Sequence, residues 1–168
     1  MKIKNNLQEN KMKEMENVPY DEIQIGMSAS VEKTITQKDI QLFAYLSGDI
    51  NPVHLDESYA TTTMFKGIIS HGMIPASLIS NILGTKLPGI GTIYLKQSLK
   101  FTKPVKPGDT IKAEIKVSQK DDEKKFVTFD CTCTNQSGVV VLSGESVVMA
   151  PTKKEKHAQP ELPVVEVK

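Results

Sequence analysis

A carboxylate and a histidine stand close together in the segment 47-SGDINPVH-54, which places Asp49 five residues before His54. Pro52 prevents the two from sharing a helix face, but a turn can point both side chains the same way. An imidazole titrates near neutrality, so a carboxylate and a histidine around one water form a general acid–base pair. The alternative is an Asx-turn aspartate next to a histidine that backbone groups satisfy.

A second histidine and a glycine follow in 70-SHG-72, just before a long apolar segment. Gly72 is expected at the start of a helix, where its N–H has no side chain in the way. That N–H and the helix dipole both favour a carbonyl oxygen that gains negative charge. The alternative is a glycine needed only for the turn.

The elements around Asp49 and His54 follow from capping signals. Thr36 predicts a helix start with a capping box, and Gly48 predicts its end because glycine tolerates a left-handed turn. Residues 49–56 are then predicted to form a loop, and residues 57–64 a short helix. The two acid–base groups would therefore lie on a loop between helices.

An apolar helix and several strands make up the rest of the predicted domain. Residues 73–83 are apolar on nearly all sides, which is typical of a buried helix, and Gly84 is expected to end it. Alternating apolar and polar residues joined by short turns predict antiparallel strands at 28–35, 93–101, 111–117, 127–133 and 139–149. The fold class is therefore α+β, a long antiparallel sheet wrapped around a central helix.

Composition excludes several classes of function. The 168 residues carry 21 basic and 20 acidic side chains, a net charge of +1, which argues against a protein that coats nucleic acid. No apolar run approaches the roughly 20 residues of a membrane helix, and residues 1–18 lack the apolar core of a secretory signal. Cys131 and Cys133 are too close to staple a fold, have no further metal ligands nearby, and suit a reducing, cytoplasmic location.

The domain is expected to span residues 19–150, between flexible tails at 1–18 and 151–168. Within it, residues 58–108 contain six lysines and no acidic residue. This stretch is either a chance solvated surface or a cationic rim for a phosphate-bearing ligand. The chain has no arginine, so lysines and backbone N–H groups would have to hold any anion.

Five segments together resemble one family: 43-FAYLSGDINPVHLD-56, the stretch 60–65, 68-IISHGM-73, 87-LPGIGTIYLKQSLKF-101 and 104-PVKPGDT-110. They resemble the MaoC-like (R)-specific enoyl-CoA hydratases of the hot-dog superfamily, whose motif is an acid, four residues and a histidine. The resemblance covers roughly residues 35–148. It implies a hot-dog fold, paired into a homodimer or a higher homo-oligomer, with no cofactor and no metal.

The resemblance also implies reversible hydration of a trans-2-enoyl-CoA to the (R)-3-hydroxyacyl-CoA. Asp49 and His54 would be the acid–base pair, and the Gly72 N–H would polarise the thioester carbonyl. The candidate substrate-binding residues are Ser80, Ser70, Asn51, Lys96 and Lys100. Three alternatives remain at this point: an acyl-carrier-protein dehydratase, a thioesterase, and an acyl-CoA-sensing module without catalysis.

Overall fold

The computed structural model describes residues 13–165. The strands in that range are β1 (Glu14–Glu16), β2 (Ser28–Thr34), β3 (Ile93–Phe101), β4 (Thr110–Asp121), β5 (Phe126–Thr134), β6 (Val140–Met149) and β7 (Lys156–Ala158). The α-helices are α1 (Gln37–Ser47), α2 (Pro52–Leu55), α3 (Glu57–Ala60) and α4 (Met73–Thr85). Across residues 13–165, no helix combines the length and the apolar character that a bilayer crossing requires.

A five-stranded antiparallel sheet in the order β2-β4-β5-β6-β3 carries the domain. Side chains alternate between the inner and the outer face of the sheet. On β4 the buried side chains are those of Ile111, Ala113, Ile115 and Val117. The central helix α4 packs on this face against β2, β4 and β5. The predicted α+β arrangement of a sheet around an enclosed helix is confirmed.

The capping signals of α1 are confirmed and determine where the next loop begins. The Thr36 hydroxyl accepts a hydrogen bond from the Asp39 N–H, and the Asp39 carboxylate accepts one from the Thr36 N–H at 2.8 Å. Gly48 ends the helix with φ 74°, a left-handed conformation that favours glycine. The chain therefore leaves α1 in a defined direction, and Asp49 is the first residue of that turn.

Three boundaries differ from the predictions. Residues 52–55 form the single-turn helix α2 rather than a loop, because Pro52 suits the first helical position and Asn51 caps it. Helix α3 ends at Ala60, earlier than predicted. Helix α4 continues through Gly84 to Thr85, where the Lys86 N–H still bonds to the Ile82 carbonyl. A single exposed glycine lowers helix stability without forcing an end.

The predicted tails are partly built into the fold. Strands β1 and β7 pair antiparallel, and the Asn17 side chain next to β1 is fully buried. Its amide donates to the carbonyls of Ile90 and Lys153 and accepts from the Glu155 N–H. Residues 14–17 and 153–158 are thus tied together and to the loop before β3. Residues 1–12 and 166–168 lie outside the described part of the chain.

The two cysteines face the core, as predicted. Cys131 and Cys133 are both buried and unpaired, and the Cys133 thiol lies 3.6 Å from the Pro75 carbonyl of α4. Burial raises the pKa of Cys133 to about 12, so this thiol stays protonated at neutral pH. Both residues fill the space between sheet and helix.

Candidate active site

The His54 ring is fixed by its own helix and by a backbone carbonyl. Asn51 caps α2 by accepting a hydrogen bond from the Val53 N–H, which sets the orientation of the turn. His54 Nδ1 lies 2.8 Å from the Ile69 carbonyl oxygen. Because a carbonyl can only accept, Nδ1 must carry the proton, and Nε2 of the neutral ring keeps its lone pair. A buried histidine held in this way can accept a proton at Nε2.

Asp49 is held by the turn that follows α1. Its N–H donates to the Ser47 hydroxyl at 3.1 Å, and its Oδ1 accepts from the Asn51 N–H at 3.1 Å. Within residues 13–165, Oδ2 makes no hydrogen bond to protein. The carboxylate is exposed, so one oxygen is oriented by the backbone and the other is available to a water or a ligand.

Asp49, His54 and His71 form one cluster, in which one ligand-type atom of each lies within 4.8 Å of the others. The His54 and His71 rings stack with 3.8 Å between centroids and 30° between planes. The turn therefore brings together the two side chains whose spacing indicated a pair. His71 was missed as a member, although it stands beside Gly72; only the tertiary contact with His54 reveals it.

The same three residues are a possible metal-ligand set among the described residues. A metal bound by both histidines needs nitrogen lone pairs that converge on one point. The two rings lie 3.8 Å apart between centroids, and each bonds one ring nitrogen to a backbone carbonyl, so the other nitrogen of each ring makes no such bond. The free nitrogen of His54 can also serve acid–base chemistry.

Gly72 lies at the N-terminal end of α4, as predicted, and has no room for a side chain. A Cβ built there would lie 2.8 Å from Cε1 and 2.9 Å from Cδ1 of Phe101. Contacts below 3.0 Å force a displacement, so Phe101 and the Gly72 backbone are packed directly on one another. Among the described residues no acceptor is bonded to the Gly72 N–H, so it can donate to a ligand.

A cavity of about 670 Å³ opens beside these groups. His54, Ser70 and Gly72 contribute to its wall, and Asp49 lies next to His54 outside the wall itself. Most of the lining is apolar, including Met64, Phe65, Ile69, Met73, Phe101 and Val105. An apolar pocket with a few polar groups at one place is typical of a small-molecule site. The volume is enough for an acyl chain.

Several predicted substrate-binding residues do not line this cavity. Ser70 does, and its buried hydroxyl donates to the His71 carbonyl at 3.0 Å. Ser80 instead lies on the exposed side of α4, and Lys96 and Lys100 are exposed on β3 away from the cavity wall. Asn51 acts as the cap of α2. The sequence placed Lys96 and Lys100 on β3 and Ser80 on α4, but it did not show where the cavity lies.

One lysine of the acid-free stretch does reach the cavity. Lys103, in the segment after β3, is exposed and lines the wall together with Thr102 and Pro104. An exposed ammonium at the edge of an apolar pocket can attract an anionic part of a ligand that extends into solvent. The predicted cationic rim is therefore represented in the cavity wall by Lys103.

The antiparallel sheet wrapped around α4 defines a hot-dog fold, and the candidate site lies beside the N-terminal end of that helix. Residues 20–137 match the family described as MaoC like domain. The chain belongs to this family, which confirms the resemblance in the motifs.

Individual relatives match over most of their length. The (R)-specific enoyl-CoA hydratase of Rhodospirillum rubrum is 54% identical over 134 residues, which cover 80% of this chain and 92% of the relative. The 3-hydroxybutyryl-CoA dehydratase of Methylorubrum extorquens is 38% identical over 136 residues, covering 81% and 86%. The structure of unliganded R-hydratase PhaJ1 from Pseudomonas aeruginosa superposes with a TM-score of 0.88 at 46% identity, covering 93% of this chain and 100% of the other.

Proposed function

We propose that this protein is an (R)-specific enoyl-CoA hydratase, which reversibly adds water to trans-2-enoyl-CoA to give (R)-3-hydroxyacyl-CoA. One observation carries the proposal: His54 bonds the Ile69 carbonyl through Nδ1, which leaves Nε2 free beside Asp49 at the wall of an apolar cavity that Gly72 also lines. The names of the R. rubrum and M. extorquens relatives support the same reaction, since hydration and dehydration are its two directions.

The thioester carbonyl is polarised first. Water adds to C3 only if the conjugated carbonyl draws electrons from the double bond, and negative charge then builds on the carbonyl oxygen. The Gly72 N–H at the start of α4 donates to that oxygen, and the helix dipole favours the charge. The Phe101 ring packs against Gly72 beside this donor.

Proton transfer is assigned to Asp49 and His54. His54 Nε2 takes a proton from the attacking water, while Asp49 holds that water through its free carboxylate oxygen. The new bond forms between the water oxygen and C3, and the π electrons move through C2 onto the carbonyl. The pair then returns a proton to C2 on the same face, which restores the thioester. The overall step adds one water and needs no electron acceptor.

Hydration of crotonyl-CoA by the purified protein tests this function. The expected result is loss of the enoyl absorbance without release of free thiol. Release of thiol at the rate of absorbance loss would indicate a thioesterase, and an unchanged absorbance would overturn the proposal. A variant of the exposed His157, which lies in β7 away from the cavity, is the matched control and keeps full activity.

We further propose a homodimer joined along β3, which is one of the two edge strands of the five-stranded sheet. An unpaired edge is open to a second strand, and β3 exposes the apolar side chains of Ile93, Tyr94, Leu95 and Phe101. Sedimentation at micromolar concentration is expected to give twice the chain mass, and a monomer would contradict it. A cytoplasmic location is supported by the two unpaired thiols.

A further inference from the structure

His71 contacts both members of the acid–base pair without lining the cavity. Its Nε2 lies 3.0 Å from the Asp49 backbone carbonyl and must donate to it, because that oxygen can only accept. Its ring stacks on the His54 ring with centroids 3.8 Å apart. The side chain is only 2% exposed. A ring so buried does not reach a substrate, so any role it has is exerted through its neighbours.

We propose that His71 is a positioning residue that fixes the turn of Asp49 through Nε2–H and the plane of the His54 imidazole through ring stacking. This inference rests on the proposed hydratase function. The Ile69 carbonyl holds one edge of the His54 ring but leaves rotation about that hydrogen bond open. Stacking against a second flat ring removes this freedom, so His54 Nε2 keeps one direction.

The neighbours of His71 hold it in turn. The Phe43 ring of α1 lies 4.9 Å from the His71 ring, centroid to centroid, at 48°. His71 is also anchored by its place directly before Gly72 and α4, where its own carbonyl accepts from the Ile74 N–H. The position of the acid–base pair is thereby coupled to both helices that border it.

The unpaired Nδ1 of His71 indicates that this residue does more than fill space. With the proton on Nε2, Nδ1 is an acceptor, and it is buried without a hydrogen-bond partner among residues 13–165. A buried unpaired acceptor costs free energy, and a phenylalanine would fill a similar space without that cost. The directional Nε2–H bond to Asp49 is what histidine adds over phenylalanine at this position.

Two variants separate the two contacts. His71→Phe keeps a flat ring against His54 and removes the donor, whereas His71→Gln keeps an amide donor near the Nε2 position and removes the ring. Each is expected to lower kcat for crotonyl-CoA hydration about 10- to 100-fold, because small misplacements of catalytic groups have effects of that size. KM and the melting temperature are expected to change little, and His157→Phe serves as the matched control.

A measurement without substrate keeps this inference separate from the proposed function. Imidazole ¹⁵N spectra of the wild type are expected to show His54 as a single Nδ1–H tautomer. His71→Gln, which removes the ring, is expected to show mixed or broadened His54 signals, whereas His71→Phe, which keeps a ring, is expected to leave them sharp. Unchanged His54 signals in His71→Gln would overturn the positioning role, as would kcat losses that only follow lost stability. A wild type that shows the single tautomer but hydrates no enoyl-CoA would refute the function alone.

Discussion

Two buried polar side chains, one near the chain ends and one in the candidate active site, are satisfied in opposite ways. Asn17 is fully buried and uses both amide hydrogens and its oxygen, through bonds to Ile90, Lys153 and Glu155. His71 is almost as buried, but one of its two ring nitrogens has no hydrogen-bond partner in the described part of the chain. Buried polar groups are normally hydrogen-bonded, so the unpaired nitrogen is the one that needs an explanation.

The contacts of Asn17 stabilise the fold, whereas those of His71 arrange the groups proposed for the reaction. The hydrogen bonds of Asn17 connect three distant segments of the chain. Each of these bonds lies within the protein and stabilises the folded state. The bond and the stack of His71 instead orient Asp49 and His54, each of which keeps an atom free for chemistry. Changes near Asn17 should therefore alter stability, and changes near His71 should alter turnover.

Removing the acid–base pair is expected to have the largest effect. His54→Ala and Asp49→Asn should each lower kcat for crotonyl-CoA hydration by about 10²- to 10⁴-fold, the usual contribution of a positioned acid–base group. Initial rates from the loss of enoyl absorbance measure this. Circular dichroism should show both variants folded, and near-normal turnover in both would refute the assignment of the pair.

A side chain at Gly72 is expected to have the next largest effect. In Gly72→Ala the new Cβ meets the Phe101 ring, so either the ring or the donor N–H must move. A displaced oxyanion donor lowers kcat by about 100-fold, judging from the removal of such donors elsewhere. Combining it with Phe101→Leu should recover part of the loss. Full activity of Gly72→Ala would mean that the exposed Phe101 ring moves and the donor N–H keeps its place, which would contradict the predicted displacement.

Removing the Asn17 side chain should affect stability and leave turnover unchanged. Asn17→Ala leaves the Ile90 and Lys153 carbonyls and the Glu155 N–H without their partner, which should lower the free energy of unfolding by about 1–3 kcal/mol. Urea denaturation measures this, with Asn81→Ala on the exposed side of α4 as control. A reduced kcat in folded Asn17→Ala would erase the difference between the two regions.

The smallest effect is expected from Tyr20, on the free energy of unfolding at alkaline pH. Burial, and then the hydrogen bond to Asp122, raise the pKa of Tyr20 to about 12. The folded state therefore favours the neutral phenol. This contribution is complete below the ordinary pKa of about 10 and is lost as pH rises from there through 12. Tyr20→Phe should show a shallower loss of stability over pH 10–11 than the wild type, measured by urea denaturation, and equal slopes would contradict the prediction.

Local signals predicted the elements, and contacts between distant segments did not follow from them. Thr36, Asp39 and Gly48 determine both ends of α1 through interactions within a few residues, so sequence reasoning found them. The pairing of β1 with β7 joins residues about 140 positions apart, and neither strand has a pattern that reveals its partner. The predicted tails were therefore partly wrong in the described range.

The candidate site shows the same difference between local signals and contacts of distant segments. Asp49 and His54 are five residues apart, so a local turn could bring them together, and in the structure it does. Ser80 and Lys96 were placed on correct elements, but the position of the cavity depends on how α4 crosses the sheet, which no local period encodes. His71 was missed as a partner for the same reason, since its stack on His54 joins two separate segments.

The stereochemistry of water addition is the sharpest test of whether His54 and Asp49 act from one side of the double bond. If His54 and Asp49 act through one water from one side of the double bond, hydroxyl and hydrogen must add to the same face. Hydration of crotonyl-CoA in D₂O, stopped at low conversion, places one deuterium at C2, and the proton coupling between C2 and C3 gives its relative configuration. A single syn diastereomer with R configuration at C3 is expected. An anti product, or a mixture at C2, would contradict this expectation.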